Sequence, residues 1–251
     1  MNILVCVKRV PDTGARMEVA ASGMAIETRN LGFTISPHEE CALEEAATII
    51  EAAGGSGTVL TVGPPEADQQ LRDCLAKGMD RGVLIETDGG ELDPGQTASE
   101  IARYVRGQGT RFDMILFGNE SADSANYQVG VRVAHSLDLP CVTGVKRMSV
   151  CQDRVTAKRE TRAGFEIYDV ALPAVLTVKE GLNLPRHPSL KATMGARKKL
   201  IERVRPDRGA ATLEMLRLSV PPEKGSGAEI LGEGRAAVPR IVELLAELRL
   251  L

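Results

Sequence analysis

The sequence predicts an α/β protein whose parallel, twisted β-sheet is covered by helices on both faces. Short apolar runs alternate with helical patterns over roughly the first 140 residues, which is the order of elements in βαβ units. Hydrophobic residues make up 43% of the chain, whereas aromatic residues make up 3% and tryptophan is absent. This aliphatic composition favours packed strands and helices over a β-sandwich. The 251 residues are enough for one large domain with an appendage.

Four apolar runs predict the parallel strands of this sheet. Each run is apolar nearly throughout, as expected for a strand that is buried on both faces. They comprise residues 2–7, 58–62, 82–86 and 114–117. Gly63 and Gly118 follow the second and the fourth run and end them.

Four helices are predicted between and after these strands. The clearest start is the sequence SPHEE at 36–40, because serine caps helix N-termini, proline suits the first position and acidic residues favour the first turn. This helix is expected to end at Gly54. Apolar periodicity predicts further helices over 66–77, 97–107 and 127–137.

After Val145 the pattern changes to a small β excursion. Strands are predicted at 148–150, 155–159 and 165–170, with a hairpin between the first two. The apolar run 174–178 is expected to return to the main sheet.

The remaining residues predict a C-terminal extension. A basic helix follows two prolines within residues 181–202, and residues 205–228 are expected to be extended because they are rich in proline, glycine and charge. Residues 235–251 form an amphipathic helix with one apolar stripe, which could pack on its own domain or on a partner chain. We therefore divide the chain into an α/β domain of residues 1–204 and an arm with a C-terminal helix of residues 205–251.

Composition and charge argue against several functions. The formal net charge of −3 gives nucleic-acid binding no electrostatic support. No apolar run approaches the ~20 residues that span a bilayer, and the chain enters a strand directly, so no signal peptide is expected. The five cysteines and three histidines are scattered without the spacing of metal ligands, and disulfides are not expected. A cytoplasmic location with reduced thiols is the expectation.

The strongest signal for a ligand site lies between the fourth strand and its helix. Ligands of open parallel sheets bind beyond the carboxyl ends of the strands, and helix N-termini bind anions. The loops after Val7, Val62 and Phe117 are expected to converge there, joined by the helix start at Ser36. Neither GxxxxGK[ST] nor GxGxxG is present, and an ordinary strand-to-helix turn is the alternative. A ligand is favoured by the density of polar side chains, namely Asn119, Ser121, Asp123, Ser124, Asn126 and Gln128.

Six segments carry a resemblance to a known protein family. They are VCVKRVPDT at 5–13, SPHEECALEEA at 36–46, TVGP at 61–64, LRDCLAKGMDRGVLI at 71–85, FGNESAD and YQVG within 117–130, and LPAVLTV, LNLPR and SLKATMGARKK within 172–199. In these segments the chain resembles the beta subunit of electron-transferring flavoproteins, over nearly its whole length. The resemblance implies a fold similar to the adenine-nucleotide alpha-hydrolase-like (Rossmann-like) α/β domains.

The resemblance also implies a function. Such beta subunits pair with an alpha subunit that carries the redox-active FAD, and the heterodimer shuttles electrons from dehydrogenases to an acceptor. The beta subunit does no bond chemistry, so no catalytic residue is expected, and it holds a structural AMP. The nucleotide contacts that the resemblance implies are Cys6, Ser36, Pro37, His38, Glu39, Val62, Gly118, Asn119, Glu120, Ser121, Asp123, Asn126, Gln128 and Val129.

Electron-bifurcating members of the family bind a second FAD in place of AMP. They usually have a DGDTAQVG-like loop, whereas this chain has DSANYQVG at 123–130. Tyr127 is large where a small residue would make room for a flavin-bearing pyrophosphate. The VPDT start and the GEGRAAVPRIVELLAEL tail nevertheless resemble the bifurcating chains. We favour AMP, and a second FAD with NAD(H) is the alternative.

The segment 181–200 resembles the loop by which beta subunits dock their dehydrogenase partners. Leu190 would be an apolar anchor within a charged rim, a pattern that gives transient interfaces both specificity and speed. A solvated basic helix end is the alternative. The implied docking residues are Arg186, Leu190, Lys191, Met194 and Lys198.

A remote alternative for the whole chain is a nucleotide-binding protein of the universal-stress type. It would need a glycine loop that cradles phosphates and a carboxylate that binds a metal. Only Asp123 offers such a carboxylate.

Overall fold

The computed structural model describes residues 1–222 and 229–251. Residues 223–228, the end of the segment predicted to be extended, lie outside the described residues. The chain divides into two compact units, one of residues 1–18 with 26–216 and the other of residues 19–25 with 217–251.

The first unit contains eleven strands among the residues described. They are β1 (Asn2–Cys6), β2 (Val10–Pro11), β3 (Phe33–Thr34), β4 (Ser56–Gly63), β5 (Arg81–Glu86), β6 (Met114–Gly118), β7 (Cys141–Cys151), β8 (Arg154–Thr161), β9 (Gly164–Ala171), β10 (Ala174–Val178) and β11 (Ile201–Val204). The helices of this unit are α1 (Pro37–Ala53), α2 (Asp68–Ala76), α3 (Pro94–Gly107), α4 (Val129–Ser136) and α5 (Leu190–Ala196), with a 3₁₀ turn at Pro65–Ala67.

Nine of these strands form one sheet in the order β11-β5-β4-β1-β6-β10-β7-β8-β9. Neighbours are parallel from β11 to β7, and β7, β8 and β9 are antiparallel. Ile3 and Val5 pack with residues of α1 and α2 on one face, whereas Leu4 and Cys6 pack with α3 and α4 on the other. The predicted fold class, a mostly parallel sheet covered on both faces, is therefore confirmed.

The start of α1 is the predicted serine cap. The Glu39 backbone N–H donates to Ser36 Oγ at 3.3 Å, and the Ser36 backbone N–H donates to Glu39 Oε2 at 2.9 Å. This reciprocal capping box satisfies two N–H groups that the helix itself cannot pair. An N-cap serine of this kind stabilises a helix by about 1 kcal/mol.

Two helices begin elsewhere than the apolar periodicity predicts. α3 begins at Pro94, three residues early, because Asp93 Oδ1 accepts the N–H groups of Gly95 at 2.6 Å and Gln96 at 2.9 Å. α4 begins two residues late, because Tyr127 has a φ of 57° that no helix accommodates.

The β excursion is confirmed, and one strand was not predicted. β7 and β8 form the hairpin, β9 follows, and β10 inserts between β6 and β7 in the main sheet. The predicted basic helix is short and comprises only α5, Leu190–Ala196. β11 pairs with β5 at the edge of the sheet; its four residues, IERV, are too few and too polar to signal a strand.

The second unit contains α6 (Val238–Glu247), preceded by a 3₁₀ turn at Gly234–Ala237. It also contains a turn in which the Ala20 N–H donates to Ala25 O at 2.8 Å. No residue of α6 is buried: Ile241 and Leu248 of its apolar stripe are exposed, and Leu244 and Leu245 are half-buried. Across the described ranges, no helix combines the length and the apolar character needed to cross a membrane.

Candidate functional site

A crevice is expected at β1, because successive strands are added on one side of β1 and then on the other. From β1 the chain moves outward to β4 and β5 on one side, then returns to β6 on the other side of β1. The connections that follow β1 and β6 therefore diverge at the carboxyl ends of these strands, which is where open α/β sheets bind ligands. Cys6 and Val62 lie at the carboxyl ends of β1 and β4.

Glu39 connects the start of α1 to the segment that follows β1. Its side chain is buried, and Oε1 accepts the Lys8 backbone N–H at 2.9 Å while Oε2 accepts that of Ser36. Burial raises the pKa of Glu39 to about 8, although both hydrogen bonds act to lower it. This predicted site residue therefore supports the backbone of the crevice.

His38 and Glu120 connect α1 to the loop after β6. His38 Nδ1 accepts the Glu180 backbone N–H at 2.7 Å, so Nε2 carries the proton and donates to Glu120 Oε1 at 3.1 Å. Ser36 Oγ donates to the Glu120 carbonyl oxygen at 3.3 Å. The other carboxylate oxygen of Glu120 is buried and has no hydrogen-bond partner among the described residues. It is therefore an acceptor that a ligand could use.

Two glycines allow the close packing of this crevice. A Cβ on Gly118 would lie 2.7 Å from Glu39 Cγ and 3.1 Å from the Glu39 nitrogen. A Cβ on Gly130, in the first turn of α4, would lie 2.8 Å from Thr177 Cγ2. Glycine at these positions therefore brings the loop after β6 against α1, and α4 against β10.

Asn119 fixes the same loop to β10. Its Oδ1 accepts the Thr177 hydroxyl at 2.8 Å, and its backbone N–H donates to Val178 O at 2.8 Å. The Thr177 oxygen in turn accepts the Gly144 N–H at 3.1 Å. The Asn119 oxygen is thus already engaged within the chain.

Asp123 forms an ion pair that no local pattern in the sequence predicts. Its Oδ2 lies 2.6 Å from Lys8 Nζ, and Lys8 also pairs with Glu91. Burial acts to raise the pKa of Asp123, but the Lys8 charge and the hydrogen bonds from Ser121 and Ser124 outweigh it, so this pKa lies below its ordinary value. The only signal for Lys8 was its position directly after the first strand.

The first turn of α4 presents backbone N–H groups without a side-chain cap. Gln128 precedes the helix, but its Oε1 accepts the Arg132 Nε–H at 3.1 Å and caps no backbone N–H group of α4. Ser121, Asn126 and Val129 lie along the same loop and helix start. Uncapped N–H groups at the positive end of a helix are suited to bind an anion.

A cavity of about 320 Å³ lies beside the start of α4. Asn119 is the one predicted nucleotide contact among its lining residues, and Tyr127 and Thr177 also line it. The helix start at Ser36–Glu39 does not. The structure therefore brings the predicted residues of α1 and the β6 loop into direct contact, while the adjoining space opens toward β7, β8 and β10.

The predicted docking segment is held firmly to the helices beneath it. Arg72 Nη1 donates to the carbonyl oxygens of Ala196 at 2.9 Å and Lys199 at 2.7 Å, at the end of α5. Lys199 Nζ donates to two backbone carbonyls at the end of α2. Arg186 binds Glu44 at 2.8 Å and also pairs with Glu51. The Arg186 guanidinium, predicted as part of the docking surface, is thus engaged with α1.

Two large apolar side chains of α5 point away from the unit. Leu190 is 84% exposed and Met194 is 66% exposed, and Lys191 and Lys198 are exposed as well. Exposed leucine and methionine side chains on a fixed helix have the properties of an anchor for a transient partner.

Comparison with known proteins identifies a family. A family model described as "Electron transfer flavoprotein domain" matches residues 23–208. The chain is 34% identical to the protein named electron transfer flavoprotein subunit beta of Bacillus subtilis, with 98% of this chain and 97% of the relative covered.

Two further relatives carry the same name. The protein of Syntrophomonas wolfei is 32% identical, with 97% of this chain and 95% of the relative covered. That of Thermoanaerobacterium thermosaccharolyticum is also 32% identical, with 98% of each chain covered. The similarity therefore includes the C-terminal residues beyond the matched domain.

Proposed function

The chain belongs to the electron transfer flavoprotein beta subunit family, and we propose that it is an electron-carrier subunit that holds a structural AMP. In this proposal an alpha subunit carries the FAD, which supplies the redox chemistry when bound. The pair takes electrons from dehydrogenases and passes them to an acceptor. The beta chain contributes binding and positioning, with no bond chemistry of its own.

The observation that carries the AMP proposal is that the segment after β6 leaves both donors and an acceptor unused, namely the uncapped start of α4 and one carboxylate oxygen of Glu120. A phosphate accepts hydrogen bonds, and the uncapped N–H groups at Val129 and the residues after it can supply them. Ribose hydroxyls and the adenine amino group donate, and the unpartnered buried oxygen of Glu120 can accept. These residues therefore fit an adenine nucleotide.

Backbone groups would be the main contacts of the phosphate. Asp123 and Glu91 already pair with Lys8, and Glu166 pairs with Arg159, which lines the cavity beside α4. Lys179 also lines this cavity and would add positive charge. Glu39 and His38 would act by positioning, because each holds backbone of one crevice wall against another. The amides are fixed by the fold, so binding requires little reorganisation.

Tyr127 supports AMP over a second FAD. Its backbone is held at a positive φ, and its ring lines the cavity beside α4. A flavin-bearing pyrophosphate continuing past the phosphate would have to share this space with the tyrosine ring. AMP ends at its phosphate and needs no such room.

The partner surfaces are proposed on the same physical grounds. The stripe of Ile241, Leu244, Leu245 and Leu248 on α6 would pack on the alpha subunit, together with the arm of residues 205–251. Leu190, Met194, Lys191 and Lys198 would dock dehydrogenases. A cytoplasmic location belongs to the proposal, and the five free cysteines are compatible with it.

The test is the nucleotide content of the complex. The chain is co-expressed with its alpha subunit, purified, denatured, and the released nucleotides are separated and quantified. One FAD and one AMP per heterodimer are expected. Two FAD without AMP would overturn the AMP assignment in favour of the bifurcating type, and a complex that retains no AMP or second FAD would overturn the nucleotide site.

A further inference from the structure

A second cavity, of about 480 Å³, lies at the carboxyl ends of β5 and β11. Its volume is in the range of small-molecule sites. Thr87 and Asp88 enter it directly after β5, and the segment 205–208 enters it directly after β11. None of these residues belongs to the nucleotide crevice.

Thr87 supplies a hydrogen-bonding group without a partner. The residue is 3% exposed and lines the cavity, and its backbone N–H donates to Gly63 O at 2.8 Å. Its hydroxyl is buried and has no hydrogen-bond partner within the described part of the chain. A buried hydroxyl of this kind is costly unless something enters the cavity to pair with it.

Three arginines and two acidic residues, Glu86 and Asp88, line the cavity, which leaves one arginine without an acidic counterpart in the lining. Arg203 pairs with Glu86 and with Asp68 at 3.2 Å, and Arg208 pairs with Asp88. Arg205 also lines the cavity, and among the described residues no carboxylate lies within ion-pair distance of it. A guanidinium without a carboxylate partner keeps its fork of N–H donors available.

The wall that carries these arginines is fixed by a buried acid. Glu100 is buried in α3, and its Oε1 accepts the backbone N–H groups of Asp207 at 2.9 Å and Arg208 at 3.1 Å. Arg103 donates to the Arg205 carbonyl oxygen at 3.0 Å. The segment is therefore anchored at Arg205 and directly after it, as a preformed binding site requires.

We propose that this cavity is an anion site that binds the phosphate group of a small molecule. The Arg205 guanidinium would bind two phosphate oxygens and the Thr87 hydroxyl would donate to a third, while Arg203 and Arg208 balance the carboxylates beside the site. Phosphate suits this set better than a carboxylate, because it offers three terminal acceptor oxygens to converging donors. The site is separate from the AMP crevice, so it stands whether or not that assignment holds.

The test is a titration of the ¹⁵N-labelled full chain with inorganic phosphate at constant ionic strength, followed by amide chemical shifts. Saturable shifts are expected at Thr87, Asp88 and residues 205–208, resolved from any response at residues 119–130. Arg205→Gln should weaken the first set about tenfold and Thr87→Val several-fold. Arg197→Gln, which removes an exposed arginine outside the cavity, is the control and should change neither.

Thr87→Val also tests whether the hydroxyl is free. Valine keeps the shape of threonine, so the melting temperature without phosphate should stay the same or rise. A fall would mean that the hydroxyl is already paired in the fold, and would overturn the proposal. Absence of a saturable response at these amides, unchanged affinity in Arg205→Gln, or equal shifts produced by acetate would overturn it too.

Discussion

The buried carboxylate of Glu39 accepts the backbone N–H of Lys8 at 2.9 Å, across 31 residues of sequence. The same carboxylate closes the capping box of α1 through Ser36. One side chain therefore sets the relative position of the helix start and the segment after β1, the two walls of the nucleotide crevice. Its protonation state bears on the stability of both.

Glu39→Gln is expected to change how stability depends on pH. The pKa of Glu39 is raised from 4.5 to about 8 by burial, so the unfolded chain loses this proton at lower pH than the folded chain. The contribution of this group is full below pH 4.5, declines as pH rises and is lost by about pH 8, for a total of a few kcal/mol. Glutamine cannot ionise, so the free energy of unfolding of the variant should fall less between pH 5 and 8.

The measurement is urea unfolding at several pH values within this window. The slope with pH is diagnostic, because glutamine also loses one acceptor and lowers stability at every pH. Glu18→Gln, at an exposed position, is the control and should keep the wild-type slope. Equal slopes for Glu39→Gln and wild type would show that the carboxyl is ionised normally in the fold.

Gly130→Ala is expected to reduce AMP retention. The new methyl would lie 2.8 Å from Thr177 Cγ2, so the first turn of α4 must move away from β10 and carry its free N–H groups with it. Overpacking of this kind costs about 1–3 kcal/mol. Less AMP should remain after purification, and the melting temperature should fall.

Gly195→Ala is the matched control for that variant. Gly195 also lies in a helix, but an added Cβ has no atom of the described structure within 4 Å. Its nucleotide content should equal that of the wild type, and its melting temperature should stay the same or rise, because alanine favours a helix more than glycine does. If Gly130→Ala behaves like this control, the start of α4 does not hold the nucleotide.

The strands and helix caps were predictable because their causes are local. Apolar runs such as 114–117 become buried strands, and Ser36 and Pro37 mark the start of α1 wherever the helix packs. The Asp93 cap is also present in the sequence, but apolar periodicity places the helix start too late because the first turn of α3 has few apolar residues.

The contacts between distant elements could not be predicted in the same way. Lys8 reaches Asp123, and Arg186 reaches Glu44, across more than a hundred residues, and no local pattern reports such pairs. In the sequence Lys199 is one charge within a basic run, yet its ammonium group donates to the backbone carbonyl oxygens of Leu75 and Met79. The resemblance to a family indicated the residues of the crevice. The hydrogen bonds then distinguish residues that hold its two walls in place from residues whose polar groups remain free to bind a ligand.

Removal of residues 235–251 is expected to abolish co-purification with the alpha subunit. α6 has no buried residue, and the exposed Ile241 and Leu248 of its stripe are available to a partner. Pull-down of the tagged alpha subunit measures the effect. The first unit should keep its melting temperature.

A point variant tests whether the apolar stripe, rather than the helix as a whole, forms the interface with the alpha subunit. Leu244→Asp places a charge in the stripe and should weaken the complex, while Glu247→Asp, on the same helix, should not. A truncated chain or a Leu244→Asp chain that forms the heterodimer with wild-type affinity would contradict the proposed packing.

Leu190→Ala is expected to slow electron transfer from a partner dehydrogenase without affecting the fold. Leu190 is 84% exposed on α5, which Arg72 holds in place through the carbonyl oxygens at its end. Burying a leucine side chain in an interface contributes roughly 1.5–3 kcal/mol, so the apparent affinity should fall about ten- to a hundredfold.

The measurement is the steady-state rate of flavoprotein reduction as a function of flavoprotein concentration. Ile167→Ala, also exposed but on β9, is the control and should react like the wild type. Because no core contact is lost, flavin content and melting temperature should not change. An early-melting Leu190→Ala chain would place the residue in the core, and unchanged kinetics would remove it from the docking surface.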